Sequence, residues 1–214
     1  MKALCLQDYN KLELIDMPKP RCAPDEVLIR VKACAICGSD VHGFAGRTNR
    51  RIPPVVMGHE AAGYIEEIGS MVRRYKPGDR VVFNSSLFCG SCSFCRRGME
   101  NLCTDAKVYG VHCDTYRLDG AMAQYLCVPE RILYRLPETL DYVYGALIEP
   151  LSIALHAVMR TPLKMHETAA VVGSGPIGMM LIKALRAAGV RRVAAIDIDE
   201  SRLTLAQKAG AVLC

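Results

Sequence analysis

The 214-residue sequence contains no tryptophan and only four phenylalanines, and aromatic residues make up 6% of it. No apolar run is long enough to span a bilayer, and Met1-Lys2-Ala3-Leu4-Cys5-Leu6-Gln7-Asp8 has no signal-like apolar core. No membrane partner is therefore expected, and a cytoplasmic location is the default expectation. The formal net charge is +5, yet the basic residues fall in short groups such as Arg50-Arg51, Arg73-Arg74 and Arg96-Arg97. With no long basic run and no interleaved aromatics, nucleic acid is not expected as a partner, and these groups read as solvated faces. Internal repeats and low-complexity tracts are also missing.

Cysteine is what the chain does have, eleven in all. Without a secretory signal, their number favours thiols and metal ligands over disulfides. Cys89, Cys92, Cys95 and Cys103 fall within fifteen positions, in a loop with little apolar surface to bury. Four thiolates around Zn²⁺ form a closed tetrahedral site, and zinc is worth about 10–16 kcal/mol to small modules, enough to order such a lobe. A second set is open. Cys37 and His59 supply a thiolate and an imidazole, and Glu60 supplies an oxygen or orients another ligand from behind. Three protein ligands and one exchangeable position are the pattern of a catalytic zinc. Cys34, just past a strand pattern, reads as a core residue.

The first half reads as short strands separated by turns: Val27–Ala33, Gly63–Ile68, Arg80–Phe83, Ala123–Val128 and Ile132–Leu136. Such spacing predicts a small barrel or sandwich. From about Asp141 the pattern turns helical, and Pro150 is expected to divide a helix over Asp141–Met159. Ala169–Val172 then reads as a buried strand, Pro176–Ala188 as a helix, Val193–Ile196 as a second strand and Glu200–Ala209 as a second helix. Between the first strand and helix lies Gly173-Ser174-Gly175-Pro176-Ile177-Gly178. Its glycines suit a tight turn, close approach to a pyrophosphate and close helix–strand packing. Asp197, nineteen residues after Gly178, is placed to bind adenine-ribose hydroxyls and so favours NAD over NADP. Arg202 nearby weakens that preference slightly, or forms an ion pair on the helix surface. His156 reads as a packed helix residue, His112 as a loop residue without a ligand role, and His166 as a surface turn residue.

In order along the chain, Cys37-Gly38-Ser39-Asp40-Val41-His42, Gly58-His59-Glu60-Ala61-Ala62-Gly63, Lys76-Pro77-Gly78-Asp79-Arg80-Val81, the cysteine lobe and Gly173–Gly178 resemble the zinc-containing medium-chain alcohol dehydrogenase family. Gly145-Ala146-Leu147-Ile148-Glu149-Pro150-Leu151-Ser152 looks most like its sorbitol (polyol) branch. The resemblance implies a β-rich chaperonin-10-like barrel over residues 1–145 and a partial α/β Rossmann domain over 146–214. It implies Cys37, His59 and Glu60 at a catalytic zinc, with Glu149 as a further ligand or nearby carboxylate. It also supports Ser39 and His42 as a proton relay, and a homo-oligomer for the complete family member.

The expected reaction is NAD-dependent oxidation of a secondary alcohol, a polyol or sugar alcohol, with threonine and sugar-alcohol phosphates as alternatives. A zinc-free reductase on the same fold would lack both ligand sets. A catalytically silent zinc-binding protein is the remaining alternative. A complete dinucleotide-binding sheet has about six strands, and here two and the start of a third, at Ala211–Cys214, can be read. A shortened nucleotide domain is thus expected, with zinc binding but little turnover by these residues alone.

Overall fold

Runs of valine, isoleucine and leucine no longer than a few residues, separated by turns containing glycine or proline, favour short strands in the first half of the chain. The computed structural model describes residues 1–163 and 167–214, so His166 lies outside the described residues. They form two compact units, Met1–Leu147 and Ile148–Cys214.

In the first unit β1 (Lys2–Asp8) and β2 (Lys11–Asp16) form a hairpin, turning at Asn10 with φ 62°. Then follow β3 (Glu26–Ala35), α1 (Gly38–Phe44), β4 (Val55–Val56), β5 (Glu60–Ile68) and β6 (Arg80–Phe83). The pair β7 (Ser86–Leu87) and β8 (Lys107–Val108) closes the base of the cysteine lobe. The hairpin of β9 (Val111–Cys113) and β10 (Tyr116–Leu118) precedes β11 (Tyr125–Pro129), β12 (Leu133–Arg135) and helix α2 (Tyr142–Ala146). Strands order as β11-β3-β5-β6-β12 in one sheet and β2-β1-β4 in another. Residues 122–124 join them: Leu4 N–H donates to the Met122 carbonyl at 2.8 Å, and Gln124 N–H to that of Lys2 at 3.0 Å. Val27, Ile29, Ile65, Val81, Val128 and Ile132 fill the interior, all nearly inaccessible. The strands expected from sequence are present, their ends moved by at most three residues.

One corner of this unit is built from bare main chain. Gly58, Gly110 and Gly120 are buried against each other. A Cβ on Gly110 would lie 2.9 Å from Gly58 N, and one on Gly120 would overlap the Gly58 carbonyl oxygen. Ala121 N–H donates to that oxygen at 2.8 Å. Gly58 itself has φ +95°, open to glycine and strained for other residues.

The second unit holds α3 (Ile148–Arg160), β13 (Thr168–Val172), α4 (Pro176–Ala187), β14 (Arg192–Ile196) and α5 (Glu200–Ala209). β13 and β14 pair in parallel, as a strand–helix–strand crossover requires. The segment after α5 adds to β14, with Leu213 bridging Ala194. Ile182, Val193 and Ala206 are fully buried between helices and strands. Pro150 does not divide the helix as expected; the break falls at Leu147, and Pro150 is the third residue of α3. The first-turn N–H groups of a helix have no intrahelical partner, so proline there removes no bond. His156, expected to be packed, is exposed. Among the described residues no helix is long and apolar enough to cross a membrane.

Candidate metal centres and nucleotide loop

Register builds the first centre. β3 and β5 are antiparallel, with Ala35 opposite Glu60 and Cys34 opposite Ala61. The end of β3 therefore meets the start of β5, and Cys37, two residues past β3, arrives beside His59 and Glu60. One ligand atom from each lies within 4.8 Å of the others. His59 and Glu60 are buried and Cys37 half-buried, so the donor set is shielded yet reachable. A soft thiolate, an imidazole and a carboxylate at this spacing fit a zinc ion with a position left over. Cys34 stays outside the set; burial pushes its thiol up to about 12, that of a core residue.

Cys37 also caps α1. Its N–H donates to Asp40 Oδ2 at 3.1 Å, and its carbonyl accepts from the N–H groups of Asp40 and Val41 at 3.0 and 3.3 Å. Asp40 is buried, and its Oδ1 lies 3.7 Å from His59 Nδ1 and 3.3 Å from Arg51 Nη2. The same Nη2 lies 3.5 Å from Ser39 Oγ. Ser39 and His42 are exposed, three residues apart and so on one face of α1. Arg51, expected at the surface beside Arg50, is only 4% exposed. The doublet hid this, because nothing in Arg50-Arg51 says which member turns inward. Asp40 also escaped the sequence reading, although an acid three residues after a helix-capping ligand is the signal that would have found it.

The second centre is local. Cys89, Cys92, Cys95 and Cys103 place their sulfurs within 4.8 Å of one another, with Cys89 and Cys95 at 3.9 Å. A tetrahedral zinc with bonds of about 2.3 Å separates its sulfurs by about 3.8 Å. The fit is close. Backbone N–H groups already point at the sulfurs: Cys92 to Cys89 at 3.3 Å, Cys95 to Cys92 at 3.4 Å and Cys89 to Cys103 at 3.3 Å. The N–H groups of Cys95 and then Thr104 pull the Cys92 thiol down to about 5, while partial shielding from water and the bond to Cys92 push Cys95 up to about 12. Four sulfurs this close cannot all be charged unless a cation lies among them. No residue from Cys89 to Cys103 is buried, so packing does not hold the lobe.

In the second unit Gly173 turns with φ +90°, and a Cβ on Gly178 would overlap the Gly173 carbonyl oxygen. That is the close helix–strand approach expected of the third glycine. Gly175 caps α4, Pro176 is its first residue and Ile177 its second, partly exposed. Asp197 follows β14 and turns back to the loop, where its Oδ2 accepts the Ser174 N–H at 2.6 Å and its Oδ1 the Asp199 N–H at 3.0 Å. These bonds, the Ser174 one foremost, hold its carboxyl below the usual range. Arg202, expected near the cofactor or in a surface ion pair, lies 3.8 Å from Asp197 and 3.7 Å from Asp199. Glu149 stands in the first turn of α3.

One four-cysteine set, one Cys-His-Glu set and one tight glycine turn thus stand on this fold. Residues 23–138 match the alcohol dehydrogenase GroES-like domain, and the chain belongs to that family. It is 38% identical over 217 residues to a sorbitol dehydrogenase of Bacillus subtilis, covering 99% of this chain and 60% of that protein. It is 39% identical over 203 residues to an L-threonine 3-dehydrogenase of Bacillus velezensis, covering 94% and 57%. A structure from Sinorhizobium meliloti, assigned as a zinc-binding dehydrogenase and bound to NADP, superposes with TM-score 0.90 at 35% identity, covering 99% of this chain and 60% of that one. The chain thus spans about 60% of the length of these relatives.

Proposed function

We propose that the chain serves a zinc- and NAD-dependent oxidation of a secondary alcohol, a polyol or sugar alcohol. The observation that carries this is the meeting of Cys37, His59 and Glu60 at the β3–β5 junction beside exposed Ser39. When bound, zinc supplies Lewis acidity at a hydroxyl oxygen, and the nicotinamide accepts hydride. Cys37, His59 and Glu60 hold the metal, and the lobe cysteines hold a second one that takes no part in the chemistry. Ser39 Oγ would accept the substrate's hydroxyl proton as it gives its own to His42, which would pass a proton on to solvent.

Gly173–Gly178 and the start of α4 receive the pyrophosphate. Asp197, placed at the loop by its bonds from the Ser174 and Asp199 N–H groups, is the carboxylate that would accept from the ribose hydroxyls. A phosphate on that ribose would meet its charge, and Arg202 is already engaged by two carboxylates, which supports NAD. The NADP in the S. meliloti structure keeps this choice a matter for experiment. Threonine is the second substrate reading, favoured by the L-threonine 3-dehydrogenase likeness.

The deciding experiment assays polyols, phosphorylated polyols and threonine with NAD and NADP, alongside zinc analysis of the same sample. About two zinc ions per chain is the expected outcome for residues 1–214, with polyol turnover on NAD expected of a full-length family member. Zinc without turnover on any substrate would leave a silent metal-binding protein, and strong NADP preference would sink the role given to Asp197.

A further inference from the structure

Arg51 is a buried cation with no part in the chemistry above, and its position is prepared by two separate devices. The first is backbone anchorage. Arg51 bridges His112, the Ile52 N–H donates to the His112 carbonyl at 2.9 Å, and the His112 ring nitrogen Nδ1 returns to the Ile52 carbonyl at 2.7 Å. The second is a gap in α1. A Cβ on Gly43 would fall 2.6 Å from Arg51 Cβ and closer still to its Cγ. Only a helix residue without a side chain lets the arginine stem cross there, although glycine weakens a helix interior relative to alanine. The stem delivers the guanidinium to Asp40, whose two oxygens face the Cys37 N–H and His59 Nδ1.

We infer that Arg51 is a positioning residue for the three-ligand metal site, acting through Asp40, and that Gly43 is the residue that admits it. This rests on the reading of Cys37, His59 and Glu60 as metal ligands. A carboxylate as buried as Asp40 needs a compensating charge to keep one orientation. With Arg51 in place, Asp40 holds the Cys37 main chain by a hydrogen bond and presents its charge 3.7 Å from His59 Nδ1, so one ligand is held and the other is favoured in one orientation before a metal arrives. The other contact, Nη2 to Ser39 Oγ, occupies one lone pair of that hydroxyl and restricts where its proton can point.

The test is zinc release to a chromophoric chelator from the full chain, with the phases assigned through Cys37→Ser and Cys92→Ser. Arg51→Met should speed release from the three-ligand site about 10–100-fold, the usual effect of losing an outer partner, and leave the lobe phase unchanged. Gly43→Ala keeps the charge and improves helix propensity, yet should speed the same phase by displacing the arginine. The double variant should be no faster than Arg51→Met, because both changes remove one interaction. Unchanged release in Arg51→Met overturns the inference, as does equal acceleration at both sites, which would mark general loosening. Additive effects in the double variant overturn the part given to Gly43. If Cys37→Ser abolishes no phase, the metal reading itself fails and the inference goes with it; an intact Cys37-dependent phase that ignores Arg51 sinks the inference alone.

Discussion

The two cysteine-containing centres are built in opposite ways. The lobe takes four like ligands from one fifteen-residue loop with no buried residue, so a bound metal would supply order that packing does not. The Cys37 centre takes three unlike ligands from the ends of two strands whose register is fixed by a buried core, so its order is present beforehand. In the first a metal would organise the protein, and in the second the protein would organise a metal. Sequence-local ligands thus mark a structural role, and ligands gathered by tertiary structure leave the metal free to act.

The strongest way to break this comparison is Cys92→Ser, or chelation of the wild type. Zinc is worth about 10–16 kcal/mol to modules like the lobe. Residues 89–103 should lose amide-exchange protection and become open to proteolysis, while Ile29, Ile65 and Val81 in the barrel keep theirs. A lobe still protected without metal would show that packing suffices.

Next in size is Gly58→Ala, which should lower stability by about 2–4 kcal/mol from its positive φ and a Cβ 2.8 Å from Cys34 Sγ. Chemical denaturation measures it, and an effect below about 1 kcal/mol would mean that the turn before His59 is less rigid than described. Cys37→Ser should cost only about 1 kcal/mol, since the strands do not depend on that ligand, while one equivalent of zinc is lost. If its unfolding midpoint fell as far as that of Gly58→Ala, the claim of a preformed site would fail.

The smallest effect concerns pH. The Asp197 carboxyl is held below its ordinary value, first by the Ser174 N–H, so whatever it contributes is present above about pH 3.9 and is lost as pH falls through its lower folded value. Protection of the Ser174 amide should therefore stay level from pH 8 to 5 and decline only in stronger acid. A decline near pH 5 would show that the carboxylate does not hold the loop.

Much of this was legible before any coordinates. Cys89 to Cys103 and Gly173 to Gly178 are contiguous, and their spacing states their geometry. The strands showed through because β-branched runs alternate with turns containing glycine or proline. What stayed hidden depends on partners far apart in sequence. Arg51 looked like half of a surface doublet because its acceptor, Asp40, is eleven residues away and its clearance comes from Gly43. Pro150 looked like a helix breaker because nothing local indicates that α3 begins two residues before it.

The main-chain corner of Gly58, Gly110 and Gly120 has a consequence for how such a site can change over generations. Side chains transmit substitutions, because a smaller or larger neighbour makes them tilt or hop. Main chain packed directly on main chain offers few such levers. Exchanges among the interior aliphatics can thus accumulate without reaching the peptide that presents His59. Replacements at exposed positions away from that corner leave that peptide where it is.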